Sequence, residues 1–396
     1  MQKFEGVTVV GAGPVGFLTA LGIARAGIPV RVLEAGPGIS DSPRAAVYFP
    51  NTIHILDRLG LLADVEAAAY KSTRFSYRLL ATGESVHVDA ASTFPADTPH
   101  PYNAHFGQHI LARMVLDHLL RLPGTEVRWN SRVVGLEQDK TGVTLTLETP
   151  AGSERLRSDW VVGADGARSS VRHLLGLPFQ GHTWPDRFVA TNVEYDFGHY
   201  DFEPANMVAD PVHWAVVARL GPQDMWRVTY AESAELDESD VARRIPAAYA
   251  AILPDPSAPY RIVAFSPYRV HERAAPSFRV GRVLLAGDAA HACNPCGGMG
   301  LTGGVIDARA LIETLTAVID GRAPDSVLDF YSTERRRVFL EVTSPIATQY
   351  KQRMSQPDAQ RAREEFEEFR RQAQAPQQAV MATTLSQLIE GNPMPV

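Results

Sequence analysis

The sequence contains very little cysteine. Only Cys293 and Cys296 occur in 396 residues, in a C-x-x-C arrangement. Thioredoxin-like redox sites share this spacing, but the Asn-Pro pair between the cysteines and the surrounding pattern do not resemble such a site. No second cysteine pair is present to complete a zinc site, so no metal is expected. A redox role stays open beside the simpler interpretation, in which two small residues occupy a tight turn.

The sequence also lacks a block of basic residues and a long apolar segment. The net charge is −7, so a nucleic acid is not an expected partner. The longest uncharged segment, Ala289–Ile306, is interrupted by Pro295 and several glycines, which indicates a loop and a helix start rather than a membrane span. The N-terminus enters a strand-like pattern at once and leaves no room for a signal peptide. We therefore expect a cytoplasmic protein without a membrane partner.

The composition is that of an ordinary globular protein. Hydrophobic residues make up 45% of the chain and charged residues 21%, which is ample for a large core. A length of 396 residues predicts two domains, or one large α/β domain with an inserted lobe.

The first of three glycine-rich segments, GAGPVG, has the form G-x-G-x-x-G. Val7–Val10 before it is short and apolar, as a buried strand is, and patterns of a helix and a second strand follow. In such a motif Gly11 allows the tight turn, Gly13 the approach of a pyrophosphate, and Gly16 close packing of the helix on the strand. The second strand ends at Glu34, close to where a ribose-binding carboxylate belongs. These features predict a dinucleotide site but do not separate NAD from FAD.

The second glycine-rich segment is GADGARSSVR, which starts at Gly163. It follows a strand-like segment and leads into a helix, a geometry that presents backbone N–H groups to phosphate. Arg168 and Arg172 add positive charge near the start of that helix. A capped helix with surface arginines would show the same pattern, so this segment alone does not decide between the two interpretations.

The third segment begins after Arg282–Ala286, which is apolar enough for another buried strand. Gly287 and Asp288 are followed by a loop with many glycines, and we expect a helix from about Val305. Glycine has no side chain, so such a loop can bring bare backbone against a flat ring. The apolar strand before the loop and the apolar helix after it argue against a flexible surface loop.

Together the three segments resemble the fingerprints of class A flavoprotein monooxygenases, the aromatic hydroxylases with the para-hydroxybenzoate hydroxylase fold. Asp165-Gly166 resembles the family's DG motif, and Gly287-Asp288 with Pro295 resembles its GD motif. The resemblance spans roughly residues 7–331. It implies an α/β fold in which a Rossmann-like FAD-binding domain of the para-hydroxybenzoate hydroxylase type carries an inserted β-sheet substrate lobe and a C-terminal helix.

The resemblance implies FAD as the cofactor and assigns roles to individual residues. Asp288 would hold the ribityl chain, Glu34 the adenosine ribose, and Asp165 the pyrophosphate region and, indirectly, NAD(P)H. Arg44 and Gln108 occupy positions where the family keeps side chains near the flavin. With Arg113 as a weaker candidate, the implied cofactor-binding residues are Gly11, Gly13, Pro14, Val15, Gly16, Glu34, Ala35, Arg44, Gln108, Asp165, Gly166, Gly287, Asp288, Pro295, Gly298, Gly300, Leu301 and Thr302.

One position departs from the family pattern. Relatives often carry Gln-Gly-Met/Leu-Asn in the glycine loop, where this chain has Met299-Gly300-Leu301-Thr302. The backbone of Gly300 and Leu301 can still contact the isoalloxazine ring. The departure puts side-chain contacts at Thr302 in question.

The motifs divide the chain into three expected units. They would be an FAD-binding domain of residues 1–75, 103–178 and 279–345, a substrate-binding lobe of residues 76–102 and 179–278, and a C-terminal helical tail of residues 346–396. Strand signals and aromatic residues in the lobe suggest a sheet over the flavin. In the tail, the strongly charged segment Gln356–Gln378 offers only Phe366 and Phe369 as an apolar stripe, which predicts a solvated helix.

The resemblance also implies a reaction cycle. NAD(P)H reduces FAD, the reduced flavin binds O2 as a C4a-hydroperoxide, and the terminal oxygen passes to an electron-rich ring, usually a phenol. The cofactor supplies the reactivity, while the protein supplies position, electrostatics and exclusion of water. The expected partners are thus a small aromatic substrate, O2 and either NADH or NADPH, and the habit of relatives suggests a homodimer.

The catalytic groups are less clearly marked than the cofactor site. A base or a hydrogen-bond relay often helps to form a phenolate. Candidates by residue type are His54, His182, His199 and His213, with Tyr48, Tyr195 and Arg227 as pocket-lining residues. The resemblance places Pro295 beside the flavin on the substrate side. We expect His213 or Tyr195 to lie within reach of the substrate.

Other classes of protein share parts of this pattern. A flavin-dependent halogenase would carry a W-x-W-x-I-P signature, which is absent from this sequence. An FAD-dependent reductase of the geranylgeranyl-reductase type and a non-catalytic flavin-binding protein remain alternatives. A hydroxylase should oxidise NAD(P)H faster when its aromatic ligand is present, whereas a scaffold should not.

Overall fold

The computed structural model describes residues 2–374 and 388–396. The strands and α-helices of these residues are numbered β1–β19 and α1–α10 in chain order. They form a mixed α/β architecture around two eight-stranded sheets and one small sheet. The expected fold class is confirmed.

The first sheet has a parallel centre built from short apolar strands. The order is β17-β18-β11-β1-β2-β8, and the antiparallel pair β9–β10 extends from β11. The buried Val and Leu residues of these central strands suit a parallel sheet covered on both faces. Its strands are β1 (Gln2–Val10), β2 (Val30–Leu33), β8 (Thr125–Arg128), β9 (Arg132–Asp139), β10 (Gly142–Thr149), β11 (Gly152–Gly163), β17 (Arg279–Val280) and β18 (Val283–Leu285).

Helices cover this sheet and connect its strands. The long helix α7 lies beside α1, and Gly22 permits the close approach, because a Cβ there would lie 2.2 Å from Cδ1 of Ile312. A π-helical turn, Phe339–Thr343, links α8 to α9. The helices are α1 (Pro14–Arg25), α2 (Pro50–Arg58), α3 (Leu62–Ala68), α4 (Gln108–Leu119), α5 (Ser170–Leu174), α6 (Val241–Ile252), α7 (Met299–Ile319), α8 (Val327–Val338), α9 (Ser344–Met354) and α10 (Ala359–Gln374).

The second sheet is mostly antiparallel and has the order β19-β16-β12-β15-β14-β13-β5-β6. A separate three-stranded sheet has the order β3-β7-β4. The second sheet contains β5 (Arg74–Leu79), β6 (Ser85–Asp89), β12 (Gln180–Glu194), β13 (Ala205–Ala209), β14 (Ala215–Arg219), β15 (Met225–Ser233), β16 (Arg261–Ala274) and β19 (His291–Ala292), and the small sheet contains β3 (Val47–Tyr48), β4 (Tyr70–Ser72) and β7 (Asn103–His105).

The two faces of the second sheet have different neighbours, because successive side chains of a strand point to opposite faces. Val193 and Val228 pack with α6 in one apolar cluster. On the other face, Arg227 donates to the backbone carbonyl of Arg44, and Tyr268 lies under the Arg44 guanidinium. We call this second side the cofactor-facing side of the sheet.

The charged helix α10 is docked rather than fully solvated. Phe366 is completely buried, and its ring lies 5.7 Å from that of Tyr77, while Phe369 lies 5.2 Å from the same ring. The two phenylalanines of the apolar stripe thus anchor the helix on the second sheet. The last part of the predicted helix, residues 375–378, lies outside the described residues.

Candidate active site

The three glycine-rich turns meet at one edge of the first sheet. Val10 pairs with Gly163, and Gly163 pairs with Leu285, so three parallel strands end at the same level. A Cβ on Gly11 would lie 2.4 Å from the carbonyl oxygen of Ala164, which joins the first turn to the second. Val15 joins the first turn to the third turn, because a Cβ on Gly287 would lie 3.0 Å from Cγ2 of Val15.

The first turn leaves backbone N–H groups open. Helix α1 begins at Pro14, and no side chain caps it at Gly13. The N–H groups of Val15 and Gly16 belong to the first helical turn, which has no intrahelical acceptor for them. A Cβ on Gly13 would meet no protein atom within 4 Å, whereas one on Gly16 would lie 2.1 Å from the Gly11 carbonyl oxygen. Gly13 therefore faces open space at a helix N-terminus, which suits a phosphate.

Glu34 closes the same turn from the end of β2. Its Oε2 accepts a hydrogen bond from the Ala12 N–H at 2.9 Å, and its Oε1 accepts one from the Gly36 N–H at 2.7 Å. Each carboxylate oxygen keeps a second lone pair for another donor. Glu34 is half-buried and Ala35 is exposed beside it, so a ribose hydroxyl can approach this carboxylate.

Asp165 caps α5 in the second turn. Its Oδ2 accepts hydrogen bonds from the N–H groups of Ser170 at 2.7 Å and Val171 at 3.2 Å. Its Oδ1 accepts one from the Ser169 hydroxyl at 2.5 Å. Asp165 therefore supports the first turn of α5 beside the N-cap residue Ser169, and Gly166 next to it adopts a φ of +81° with open space where a Cβ would lie.

Arg172 links the second turn to the third, whereas Arg168 is exposed. The buried Arg172 guanidinium donates to the carbonyl oxygens of Ala289 at 2.9 Å and Ala167 at 2.7 Å. It also lies 3.8 Å from the ring of Phe179. Arg172 is thus not a surface residue; it fixes the two turns relative to each other.

A buried charged network lies behind the third turn. Asp307 on α7 accepts hydrogen bonds from the Gly287 N–H at 3.1 Å, His291 Nε2 at 2.6 Å and Arg335 Nε at 2.8 Å. Burial alone would raise the pKa of Asp307, but His291 and Arg335 outweigh it and lower the pKa to about 2. Arg335 also donates to the carbonyl oxygen of Ile389, at 3.0 Å. The C-terminal segment 388–396 is thereby connected to the glycine loop.

Helix α7 begins at Met299, six residues before the expected start near Val305. Gly298 precedes it in the left-handed conformation, with a φ of +72°, and no side chain caps the helix. Glycines 300, 303 and 304 therefore belong to the helix, where Gly304 packs with its Cα against Val15. The Thr302 hydroxyl donates to the Gly298 carbonyl at 2.9 Å, and the side chain is buried. Thr302 thus stabilises the helix start instead of facing the cleft.

Asp288 lies in the third turn between the two sheets. Solvent reaches its side chain, yet the surrounding protein desolvates the carboxyl group and raises its pKa, against the opposing effects of His291 and Arg44. Asp288 also acts on the pKa of Tyr268. The third turn and the cofactor-facing side of the second sheet therefore converge at Asp288.

Arg44 bridges the two sheets. Its guanidinium carbon lies 4.2 Å from the centre of the Tyr268 ring. The buried Arg227 holds the loop of Arg44, because its guanidinium donates to the Arg44 carbonyl oxygen. The same guanidinium donates two hydrogen bonds to the amide oxygen of Asn192, at 2.9 Å and 2.7 Å. Gln108, the first residue of α4, donates its backbone N–H to the carbonyl oxygen of Ala45 at 3.3 Å. Arg113, further along α4, is exposed.

Two of the expected catalytic residues, Tyr195 and His213, lie away from the junction of Arg44 and Tyr268. Tyr195 is buried beside Phe197, at a ring distance of 4.7 Å, on the side of the second sheet that packs with α6. Its hydroxyl donates to the Asp255 carbonyl at 3.1 Å. His213 is exposed in the turn between β13 and β14. The sequence placed both near strand ends but could not show which face of the sheet each one occupies.

The remaining expected residues lie either in the third loop or on the second sheet and its connections. Pro295 is half-exposed in the third loop, and its carbonyl accepts the Gly298 N–H at 3.0 Å. His182 and His199 are exposed on the second sheet and its connections. Cys293 and Cys296 are free thiols, and burial raises the pKa of both. Because the thiolate is the reactive form, these cysteines are suited to packing rather than to redox chemistry.

Tyr48 and Tyr268 are tyrosines that interact with the arginines at the junction of the sheets, Arg44 and Arg227. Tyr48 stacks on Phe106 at 4.2 Å, and its buried hydroxyl has no hydrogen-bond partner among the described residues. Burial raises the pKa of Tyr48 and Tyr268, whereas Arg227 lowers both. Both hydroxyls therefore stay protonated and can donate. Tyr268 was not singled out from the sequence, because it lies mid-strand in β16 without a motif.

The residues present fit a flavin dinucleotide. Two uncapped helix N-termini, α1 and α7, face the meeting point of the three turns. The open space at Gly13 and the Glu34 carboxylate suit a pyrophosphate and a ribose. Residues 5–344 match the family described as "FAD binding domain". The chain belongs to this family, and FAD is its cofactor.

The relatives are aromatic monooxygenases. The chain is 49% identical, over 92% of its length and 91% of the relative's, to para-nitrophenol 4-monooxygenase of Pseudomonas sp. (strain WBC-3). It is 44% identical, over 88% of each chain, to 6-hydroxy-3-succinoylpyridine 3-monooxygenase HspB of Pseudomonas putida (strain DSM 28022 / S16). The solved structure of p-nitrophenol 4-monooxygenase PnpA from Pseudomonas putida DLL-E4 has a TM-score of 0.95 and 44% identity, and the match covers 99% of this chain and 100% of that one.

The enzymatic class follows from these comparisons. The chain is an FAD-dependent monooxygenase of the class A type that uses NAD(P)H and O2 to hydroxylate a phenolic or other electron-rich aromatic substrate. The halogenase, reductase and non-catalytic alternatives are therefore set aside. Among the described residues, no helix is both long and apolar enough to cross a membrane.

Proposed function

We propose that the substrate is a six-membered aromatic ring whose hydroxyl group lies para to an electron-withdrawing substituent. The names of the two relatives share this arrangement: 4-nitrophenol, and a pyridine with a 6-hydroxyl and a 3-succinoyl group. Both names also place the new oxygen on the carbon opposite the hydroxyl. The identity of 49% over 92% of the chain is the observation that carries the proposal.

The site chemistry supports a phenolic substrate that binds as its anion. Arg44 and Arg227 place two guanidinium groups at the junction of the sheets. A nearby cation favours the charged form of a phenol, and the ring carbon opposite a phenolate oxygen is electron-rich. Arg44 would contact the substrate or the cofactor, while Arg227, whose donors are engaged by Asn192 and the Arg44 carbonyl, would position that loop.

The protein would contribute hydrogen bonds and exclusion of water. Tyr268 and Tyr48 are protonated donors beside Arg44 and Arg227, so either hydroxyl can bind the phenolate oxygen or a polar substituent. Pro295 and the glycines that follow would supply a wall without polar side chains on the flavin side. FAD, held through the three turns, supplies the oxygen-transfer chemistry. Exclusion of water by the closed cleft would protect that chemistry from wasteful decay.

The proposal is tested by incubating the purified holoenzyme with 4-nitrophenol, NADH or NADPH, and O2. Oxygen placed on the carbon that bears the nitro group displaces it, so nitrite should appear in equal amount to the substrate consumed. Oxygen placed beside the hydroxyl would instead give a nitrocatechol without nitrite. Consumption of NAD(P)H that does not respond to 4-nitrophenol or to 6-hydroxy-3-succinoylpyridine would overturn the substrate class.

We propose that Asp288 binds the ribityl chain of FAD, with the other cofactor-binding residues in the roles stated above. Asp288→Ala should then yield largely flavin-free protein, since the substitution removes the exposed carboxylate of the third turn. Asp224→Ala is a matched control, because Asp224 is an exposed partner of Arg219 on the second sheet. Full FAD occupancy in Asp288→Ala would contradict this role.

We also retain the division into an FAD-binding domain, a substrate-binding lobe and a C-terminal tail with the boundaries given above. Strands β5 and β6 pair within the second sheet, which supports the assignment of residues 76–102 to the lobe. A homodimer and a cytoplasmic location complete the proposal. Light scattering on the purified holoenzyme tests the homodimer, and fractionation of the host cell tests the cytoplasmic location.

A further inference from the structure

A cluster of two histidines and one aspartate lies apart from the cofactor loops. His54 and Asp57 are three residues apart on α2, so they share one face of the helix. His100 belongs to the segment before β7. One nitrogen or oxygen atom from each of the three side chains lies within 4.8 Å of the other two. His100 Nε2 is 3.0 Å from Oδ2 of Asp57, and the two imidazole rings are 6.3 Å apart.

The hydrogen bonds of the cluster are incomplete. Nδ1 of His54 is buried and has no hydrogen-bond partner among the described residues. A buried polar atom without a partner is unfavourable, because it has lost its hydrogen bonds to water and gained none from the protein. The side chains of His100 and Asp57 are 12% and 42% exposed, so water reaches the cluster mainly at Asp57. An ion bound there would have protein ligands on the inner side and water on the outer side.

The surrounding charges are compatible with a cation. Asp57 carries a negative charge, and the nearby Glu66 accepts hydrogen bonds from Lys71 at 2.6 Å and from the Tyr102 hydroxyl at 3.0 Å. The lysine charge is thus compensated by its own partner. The Tyr102 ring lies 6.2 Å from that of His100 and covers one side of the cluster.

We propose that His54, Asp57 and His100 bind a divalent cation of the zinc class. Two imidazoles and one carboxylate are a donor set that Zn²⁺ accepts, with a fourth position left for water. The sequence-based expectation of no metal considered cysteine ligands alone and missed these residues, because His100 is distant from α2 in the sequence. Only the fold brings it to the helix.

The ion would act as a clamp beside the cofactor loop. Helix α2 begins directly after Phe49, and a Cβ on Gly298 would lie 3.0 Å from the Phe49 ring. A metal that joins α2 to the segment before β7 therefore holds an element that contacts the third glycine turn. Binding to the folded state alone raises the melting temperature by mass action.

The test uses the tag-free holoenzyme after treatment with a chelator, titrated with Zn²⁺ in a calorimeter. Wild-type protein should bind one equivalent and melt at a higher temperature with Zn²⁺ than without it. His54→Ala and His100→Ala should each weaken binding by about tenfold or more. Asp57→Asn provides a third variant that leaves both imidazoles in place. The flavin absorbance of each variant reports that it is folded.

His87→Ala is the matched control. His87 also lies between carboxylates, at 2.8 Å from Glu203 and 3.1 Å from Asp201, but without a second histidine. Its substitution should leave Zn²⁺ binding unchanged. The proposal fails if wild type binds no Zn²⁺, or if the His54 and His100 variants bind it as tightly as wild type does. Hydroxylation is measured on the same samples without Zn²⁺, so the failure of this proposal is separate from that of the proposed function.

Discussion

The two large sheets contribute to the site in different ways. The first sheet contributes backbone turns at the ends of three parallel strands, where Val10, Gly163 and Leu285 lie at one level. The second sheet contributes side chains from the middle of antiparallel strands, such as Arg227 and Tyr268. A turn at a strand end offers N–H groups of fixed direction, which suits a constant cofactor. Side chains on a flat sheet can change without disturbing the hydrogen-bonded ladder, which suits a variable substrate.

The two regions also differ in how their polar groups are satisfied. Behind the third turn, Asp307 accepts hydrogen bonds from the Gly287 backbone, His291 and Arg335. On the substrate side, the buried hydroxyl of Tyr48, which belongs to the small three-stranded sheet, has no partner among the described residues. The cofactor turn is therefore held rigid by the protein itself. Substitutions in the first region should change stability and FAD binding, and those in the second should change substrate kinetics alone.

The largest effect is expected for Asp307→Asn. Removal of the carboxylate leaves Arg335 as a buried charge without its partner, at a cost of about 3–5 kcal/mol. The FAD content should fall with stability, because the single amide oxygen of asparagine cannot accept from both Arg335 and the Gly287 N–H, which use different carboxylate oxygens of Asp307. Urea denaturation and the flavin absorbance measure both quantities. Stability and FAD content equal to wild type would show that the network does not support the turn.

The Asp307 carboxylate also makes the free energy of unfolding depend on pH. The pKa of Asp307 is about 2 in the fold, against an ordinary value of 3.8. Because the pKa is lower in the folded state than in the unfolded state, the Asp307 carboxylate stabilises the fold fully above about pH 4. This stabilisation is lost as the pH falls through 2. The difference in unfolding free energy between wild type and Asp307→Asn should therefore narrow over that window. A difference independent of pH would contradict the assignment.

Gly11→Ala should have the next largest effect. The new Cβ would lie 2.4 Å from the Ala164 carbonyl oxygen, at a backbone φ of +108°. Steric strain of this kind costs about 3 kcal/mol, and the displaced turn should no longer bind FAD. Thermal unfolding of the apoprotein measures the loss of stability separately from the loss of FAD binding. An apoprotein as stable as wild type would show that the turn can adjust.

Gly13→Ala is the informative contrast within the same motif. No protein atom lies within 4 Å of a Cβ at Gly13, so the apoprotein should keep its stability. The methyl group would occupy the approach to the pyrophosphate, and FAD affinity should fall by about tenfold. Quenching of FAD fluorescence on titration with apoprotein gives the dissociation constant. An unchanged affinity for FAD would show that the pyrophosphate does not lie against Gly13.

Tyr268→Phe should act on the substrate alone. The loss of one hydrogen bond should raise KM for 4-nitrophenol by about three- to tenfold, while FAD content stays that of wild type. Tyr195→Phe is the control, because its hydroxyl contacts Asp255 on the opposite side of the same sheet. Steady-state nitrite release measures both variants. Equal kinetic effects of the two substitutions would argue against the assignment of faces.

The smallest effect is expected for His213→Ala. The residue is exposed in the turn between β13 and β14, so kcat and KM should match those of wild type. Its side chain could matter only through a contact that the described residues do not provide. A large drop in kcat would restore the sequence-based hypothesis that His213 assists the reaction.

The sequence by itself predicted a dinucleotide site, and the resemblance of its three glycine-rich segments to class A flavoprotein monooxygenases implied FAD and the class of chemistry. Gly11, Gly13 and Glu34 could be identified because a dinucleotide-binding turn at a strand end requires glycine and an acid at set positions, whereas Gly287-Asp288 was identified by the resemblance. Such local demands leave a pattern in the chain. The helix start at Met299 was misplaced by six residues, because glycine is a poor helix former and only packing against Val15 explains its use there.

The tertiary structure alone decided which side chains face the cleft. Tyr195 and Tyr268 both lie in or beside strands of the second sheet, and no local signal separates them. Residues in register across neighbouring strands share a face, so the pairing of β12, β15 and β16 places Tyr268 toward Arg44 and leaves Tyr195 against α6. The meeting of His100 with His54 likewise depends on chain segments far apart in sequence. Local backbone requirements are written in neighbouring residues, whereas contacts between distant strands and helices exist only once the chain is folded.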